Sequence, residues 1–116
     1  MGIKGDLIAA RDLIADPARW TTGMSARNER GSLAYSDLTA VCWCAAGALS
    51  FVNAKQSTFD RMEDVCKRMR MNAGLRTSCY AGEVATVNDQ LGHTAILAAF
   101  DEAIASCDNP TLPGVT

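Results

Sequence analysis

Cys44, His93 and Asp89 are the side chains of this chain whose types suit covalent chemistry. A cysteine nucleophile needs a base to deprotonate or ion-pair it, and a third group to fix the imidazole tautomer. His93 is the only histidine, with Asp89 and Asn88 just before it. This set defines one expectation, a cysteine-dependent hydrolase or transferase using Cys44, His93 and Asp89. Its rival is structural: Cys44 packs, Asn88 or Asp89 caps backbone groups, and His93 is a polar edge residue. The rival is favoured because Cys44 lies in the apolar run Val41-Cys42-Trp43-Cys44-Ala45-Ala46-Gly47-Ala48-Leu49. A thiol buried in apolar surroundings is inert. A third expectation is a small-ligand pocket lined by Trp20, Trp43 and Asn88.

No metal or cofactor is expected. Cys42 and Cys44 form a C-x-C pair without the second pair or histidines that a structural zinc site uses. Asp89 and His93 share a face only on a helix, and Gly92 argues against one there. Phosphate loops, dinucleotide fingerprints and H-E-x-x-H are missing from the sequence.

Positioning these residues falls to small aliphatic side chains, since aromatics are 6% of the residues against 48% hydrophobic. That balance favours close-packed helices. The reading is a single all-α domain over residues 1–107, with about four main helices around a central apolar helix and a flexible tail at 108–116. Ile3, Leu7, Ala10 and Ile14 repeat at helical spacing, with Lys4, Asp6, Arg11 and Asp12 on the outer face. Asp16-Pro17 ends that helix. Residues 17–36 read as irregular, with Trp20 plugging the core edge and its indole N–H seeking an acceptor. Ser36 or Asp37 caps the central helix, 37–53. Gly47 inside it implies close approach of another backbone, since glycine costs about 1 kcal/mol in a helix interior. Ser57 caps the next helix, with Phe59, Met62, Val65, Cys66 and Met69 inward and a stop at Asn72-Ala73-Gly74. Residues 75–93 fit either a short helix or an extended piece. Thr94 caps the last helix, which runs to about Cys107.

A net charge of -2 offers no footprint for nucleic acid. Lys67-Arg68-Met69-Arg70, with Arg61 and Arg76, is offset by Asp60, Glu63 and Asp64 and reads as a solvated helix face. Five cysteines at irregular spacing, without a secretory segment, point to free thiols in a reducing cytoplasm. No apolar window is long enough to span a membrane.

Two blocks carry a family resemblance. Trp20-Thr21-Thr22-Gly23 and the Val41–Leu49 run together form W-x-x-G followed by W-C-x-x-G-A-L. Val87-Asn88-Asp89-Gln90-Leu91-Gly92-His93-Thr94 resembles N-D-x-x-x-[RH]-T, with Val87 where an aromatic is expected. The pattern is similar to a domain of unknown function in small actinobacterial and phage-encoded proteins, spanning roughly residues 3–107. The resemblance implies a small helical domain, often carried by mobile elements, and brings no catalytic residues. It focuses interest on Trp20, Cys44, Asn88, Asp89 and Thr94 acting together. The resulting expectation is a small non-enzymatic binding or regulatory protein acting through protein contacts. An oligomer is possible, with Leu33 and Tyr35 as candidate apolar surface positions.

Overall fold

The amphipathic stripe of the N-terminal segment folds as expected into α1 (Ile3–Ile14), burying Leu7, Ala10 and Ile14. The computed structural model describes residues 2–34, 39–76 and 82–108. After a 3-10 turn at Pro17–Arg19, the chain forms β1 (Ala26–Arg27) and β2 (Cys42–Trp43), an antiparallel ribbon pairing Ala26 with Trp43 and Arg27 with Cys42. Then follow α2 (Ala45–Phe51), α3 (Gln56–Asn72), α4 (Gly82–Thr86), a π turn at Val87–Leu91 and α5 (His93–Asp108). The fold is mostly α, and one apolar cluster draws on every described helix, with Phe100, Leu7, Ile14, Leu49, Met62 and Ile96 as its largest members.

The central helix is shorter than the sequence suggests. Cys42 and Trp43 are strand, and Cys44 is the N-cap of α2 rather than an interior residue. β-branched and aromatic residues suit a pleated ribbon, and the sequence 41–44 pairs with residues 25–27 instead of continuing a helix. The proposed caps Ser36 and Asp37 lie outside the described residues, as do Tyr35, Cys79 and the tail from 109 onward. Gly47 does mark a close approach: a Cβ there would collide with the Ser25 carbonyl.

Asp6 is also corrected. It is 2% exposed instead of outward. Its carboxylate accepts from the Lys55 N–H (3.1 Å) and the Thr58 hydroxyl (2.8 Å), tying the start of α3 to α1. That start is Gln56, and the Lys55 cap makes no side-chain bond, so Ser57 is not the cap. α5 begins at His93, so Thr94 lies within its first turn and is not its cap. Gly92 precedes it at φ +96°, a conformation that only glycine adopts freely.

The basic segment of α3 is not wholly a solvated face. Arg70 forms a half-buried ion pair with Glu83 (2.6 Å) and donates to the Leu75 carbonyl (2.8 Å). Glu63 accepts from the N–H groups of Glu83 and Val84 at 2.9 and 3.1 Å, holding the first turn of α4. A carboxylate at a helix N-terminus is favourable there. No helix of the described residues is long and apolar enough to cross a membrane.

Candidate functional site

The π turn presents Asn88 inward, where it is fully buried, and leaves Asp89 at the surface. The turn is widened by an i→i+5 bond from the Gly92 N–H to the Val87 carbonyl (3.3 Å). Such turns insert one residue into helical register, often at functional sites. The Asn88 carboxamide uses its whole hydrogen-bonding capacity. Oδ1 accepts from the Trp20 indole (2.7 Å) and the Ala45 N–H (3.0 Å). Nδ2 donates to the Thr21 carbonyl (3.1 Å) and to Asp89 Oδ1 (2.8 Å). Two N–H donors converge on one end and two oxygen acceptors on the other, which fixes the amide orientation. Asp89 Oδ1 also accepts from the Gly23 N–H (3.3 Å).

Asn88 therefore joins three separate segments: the Trp20–Gly23 loop, the first turn of α2 and its own π turn. The Trp20 acceptor and the backbone-capping role expected of Asn88 or Asp89 are both present. Helix starts leave orphan N–H groups, and α2 satisfies two of its own, Ala45 through Asn88 and Gly47 through the Cys44 Sγ (3.3 Å).

Cys44 is 7% exposed. Burial pushes its thiol pKa upward, and the nearby Asp89 charge adds to the rise, against the opposing N–H groups of Gly47 and Ala46. The group is a neutral thiol acting as a weak backbone acceptor. His93 is engaged elsewhere. Its Nε2 lies 2.7 Å from the Ile14 carbonyl oxygen. A carbonyl only accepts, so Nε2 carries the proton. The ring packs against Trp20 with centroids 5.2 Å apart. Among the described residues, no hydrogen bond joins His93 to Cys44 or to Asp89. The fold thus unites Trp20, Asn88, Asp89 and the backbone beside Cys44, and places His93 against the Trp20 ring. Thr94 is exposed at the start of α5 and takes no part in this network.

Burial treats Cys66 more severely, pushing it up to about 12, with Glu63, Glu83 and Glu102 adding to the effect. No cluster of metal-ligating side chains occurs among the described residues.

A second region also borders α2. A groove of about 550 Å³ is bounded by the ribbon and α2, with Trp43, Phe51, Leu33 and Ala34 supplying much of its apolar wall. Trp43 and Phe51 pack in a tilted pair, 5.0 Å between centroids. Leu33 and Phe51 are 36% and 40% exposed, and Val41 is exposed beside a neighbouring hollow that shares Ala40. Of the three residues expected to line a ligand pocket, Trp43 borders this groove; Trp20 and Asn88 belong to the hydrogen-bonded cluster instead.

Several structural residues gave no signal in the sequence. Arg27 donates to Thr21 Oγ1 (2.7 Å) and to the carbonyls of Gly31 (2.8 Å) and Thr22 (3.0 Å), stapling two loops. Nothing local distinguishes it from a solvated arginine. Phe51 had a weak signal, an aromatic at the end of an otherwise small-residue helix.

No curated protein and no solved structure matches the chain. A family model does match residues 3–106, nearly the whole of the described structure. The chain belongs to that family, a family of unknown function (DUF6197).

Proposed function

We propose that this protein is a non-enzymatic binding module that receives an apolar side chain of a protein partner in the groove beside Trp43. The observation that carries this reading is that exposed Leu33 and Phe51 line one concave surface together with Trp43. Aromatic anchors in a pocket are the usual centre of a protein contact. The candidate catalytic groups support the same reading from the other side. Cys44 is buried and caps a helix, and His93 donates to a backbone carbonyl. A cysteine hydrolase needs an exposed, electropositive thiol.

The free thiols Cys42, Cys44, Cys66 and Cys107 suit a reducing cytoplasm. The motif resemblance to small actinobacterial and phage-encoded proteins favours a mobile-element setting. A net charge of -2 disfavours nucleic acid as the partner.

The test is selection of short random peptides displayed on phage against the full-length protein, followed by counter-screening on Phe51→Asp. Groove binders should be apolar at their centre and lose affinity for the variant while its unfolding midpoint stays near that of the parent. Binders that ignore Phe51→Asp would sink the groove reading. Rapid alkylation of Cys44 in the folded protein would restore the enzyme.

A further inference from the structure

We infer that the partner segment binds in extended form, adding as a strand to the outer edge of the ribbon at Leu33 and setting one apolar side chain into the groove. The inference rests on the binding-module reading and specifies the shape of what is bound.

The register carries the argument. Leu33 faces Arg27 across an antiparallel bridge. The flanking bonds run from the Ala34 N–H to the Ala26 carbonyl (3.1 Å) and from the Asn28 N–H to the Ser32 carbonyl (2.9 Å). This is a non-hydrogen-bonded pair, so the N–H and C=O of Leu33 itself point away from β1. Neither has a partner among the described residues. The other flank of the ribbon is occupied, with Trp20 bridging Trp43 and the Thr21 N–H bonding the Trp43 carbonyl (3.0 Å). Among the described residues, the ribbon therefore has one edge, at Leu33, where an extended backbone finds a donor and an acceptor. Edges are normally blunted by charge or proline; Ser32, Leu33 and Ala34 provide neither.

The groove beside that edge selects the side chain. The described residues that line it carry no charge. Ser25, Ser50 and Asn53 line it with side-chain polar groups that have no protein partner among the described residues. Leu33 borders both the edge and the groove, so a strand paired there places alternate side chains toward Trp43 and toward solvent. An uncharged apolar residue flanked by backbone amides matches both surfaces. This is strand addition, in which backbone bonds give affinity and a pocket gives specificity.

The test uses the full-length protein and amide hydrogen exchange by NMR. The Leu33 amide should exchange rapidly in the free protein and become protected when a groove-selected peptide is saturating. N-methylating the peptide amides in alternation should weaken binding by roughly tenfold or more on one set and little on the other, because one face of a strand supplies the bonds. Equal tolerance of both sets, with binding still lost in Phe51→Asp, would overturn strand addition and leave the groove reading standing. A Leu33 amide already protected in the free protein overturns it as well. Protection that appears with protein concentration alone would make a second copy the occupant, and would also overturn it. A selection that yields no Phe51-dependent peptide removes both readings.

Discussion

The cluster around Asn88 and the groove beside Trp43 share one short segment, Trp43 to Phe51, and use it in opposite ways. At Asn88 every polar atom of a buried amide is matched, and Trp20, Ala45, Thr21 and Asp89 are held together. In the groove Leu33 and Phe51 stay exposed, and the side chains of Ser25, Ser50 and Asn53 have no protein partner among the described residues. The residues with the more reactive side chains are thus the ones committed to structure. The blander residues form the groove that we propose as the binding surface. Chemical type alone is a poor guide to function when the fold consumes the reactive group's hydrogen-bonding capacity.

The comparison breaks most sharply at Asn88. Asn88→Ala strands the Trp20 indole and the Ala45 N–H, and each orphaned buried donor costs about 1–3 kcal/mol. A loss of about 2–6 kcal/mol is expected in urea unfolding. A loss under about 1 kcal/mol would show that the amide is not structural and return it to the list of binding residues. Gly47→Ala follows, with about 1–3 kcal/mol or more, because the new Cβ meets the Ser25 carbonyl. That variant also tests whether the groove depends on the α2–Ser25 contact, since both residues line it.

Smaller effects sharpen the contrast. Cys44→Ala removes a side-chain cap and should cost about 0.5–2 kcal/mol, whereas Cys44→Ser keeps an acceptor and should cost less. The more accessible Cys42 and Cys107 should react with iodoacetamide before Cys44 does. In the groove, Phe51→Ser should change stability by less than about 1 kcal/mol, the ordinary range for exposed positions. A larger loss there would mean that the Trp43–Phe51 pair is core and not a binding surface.

Asp6, which belongs to neither the Asn88 cluster nor the groove lining, gives a pH-dependent control. Burial raises its pKa, but the Thr58 hydroxyl and the Lys55 N–H outweigh that effect, leaving it below the ordinary 3.8. A carboxylate depressed in the folded state binds protons less readily than in the unfolded chain. Its stabilisation is complete above the unfolded value and fades as pH falls through the folded one. Acid unfolding curves of Asp6→Asn should therefore be flatter than those of the parent below about pH 4, while the two run parallel near neutrality.

Much of the helical scaffold was legible in residue spacing. Ile3, Leu7, Ala10 and Ile14, then Met62, Val65 and Cys66, then Ile96, Phe100 and Ala103 repeat with the helical period and are buried. Trp20 and Gly47 also declared their needs locally, one an acceptor and the other a close neighbour. Less was readable around the site. The ribbon is two residues per strand, too short for alternation to register, so Cys42 and Trp43 looked like more helix. Asp6 and Glu63 looked like surface charges because their partners are distant in sequence.

The sequence by itself determined where apolar stripes recur, and hence a mostly helical chain with one interior, because periodicity is a property of neighbours along the backbone. Only the tertiary structure decided which polar groups would be matched and which left open. That choice depends on donors and acceptors from segments far apart in the chain, such as Trp20, Ala45 and Asn88, meeting at hydrogen-bonding distance.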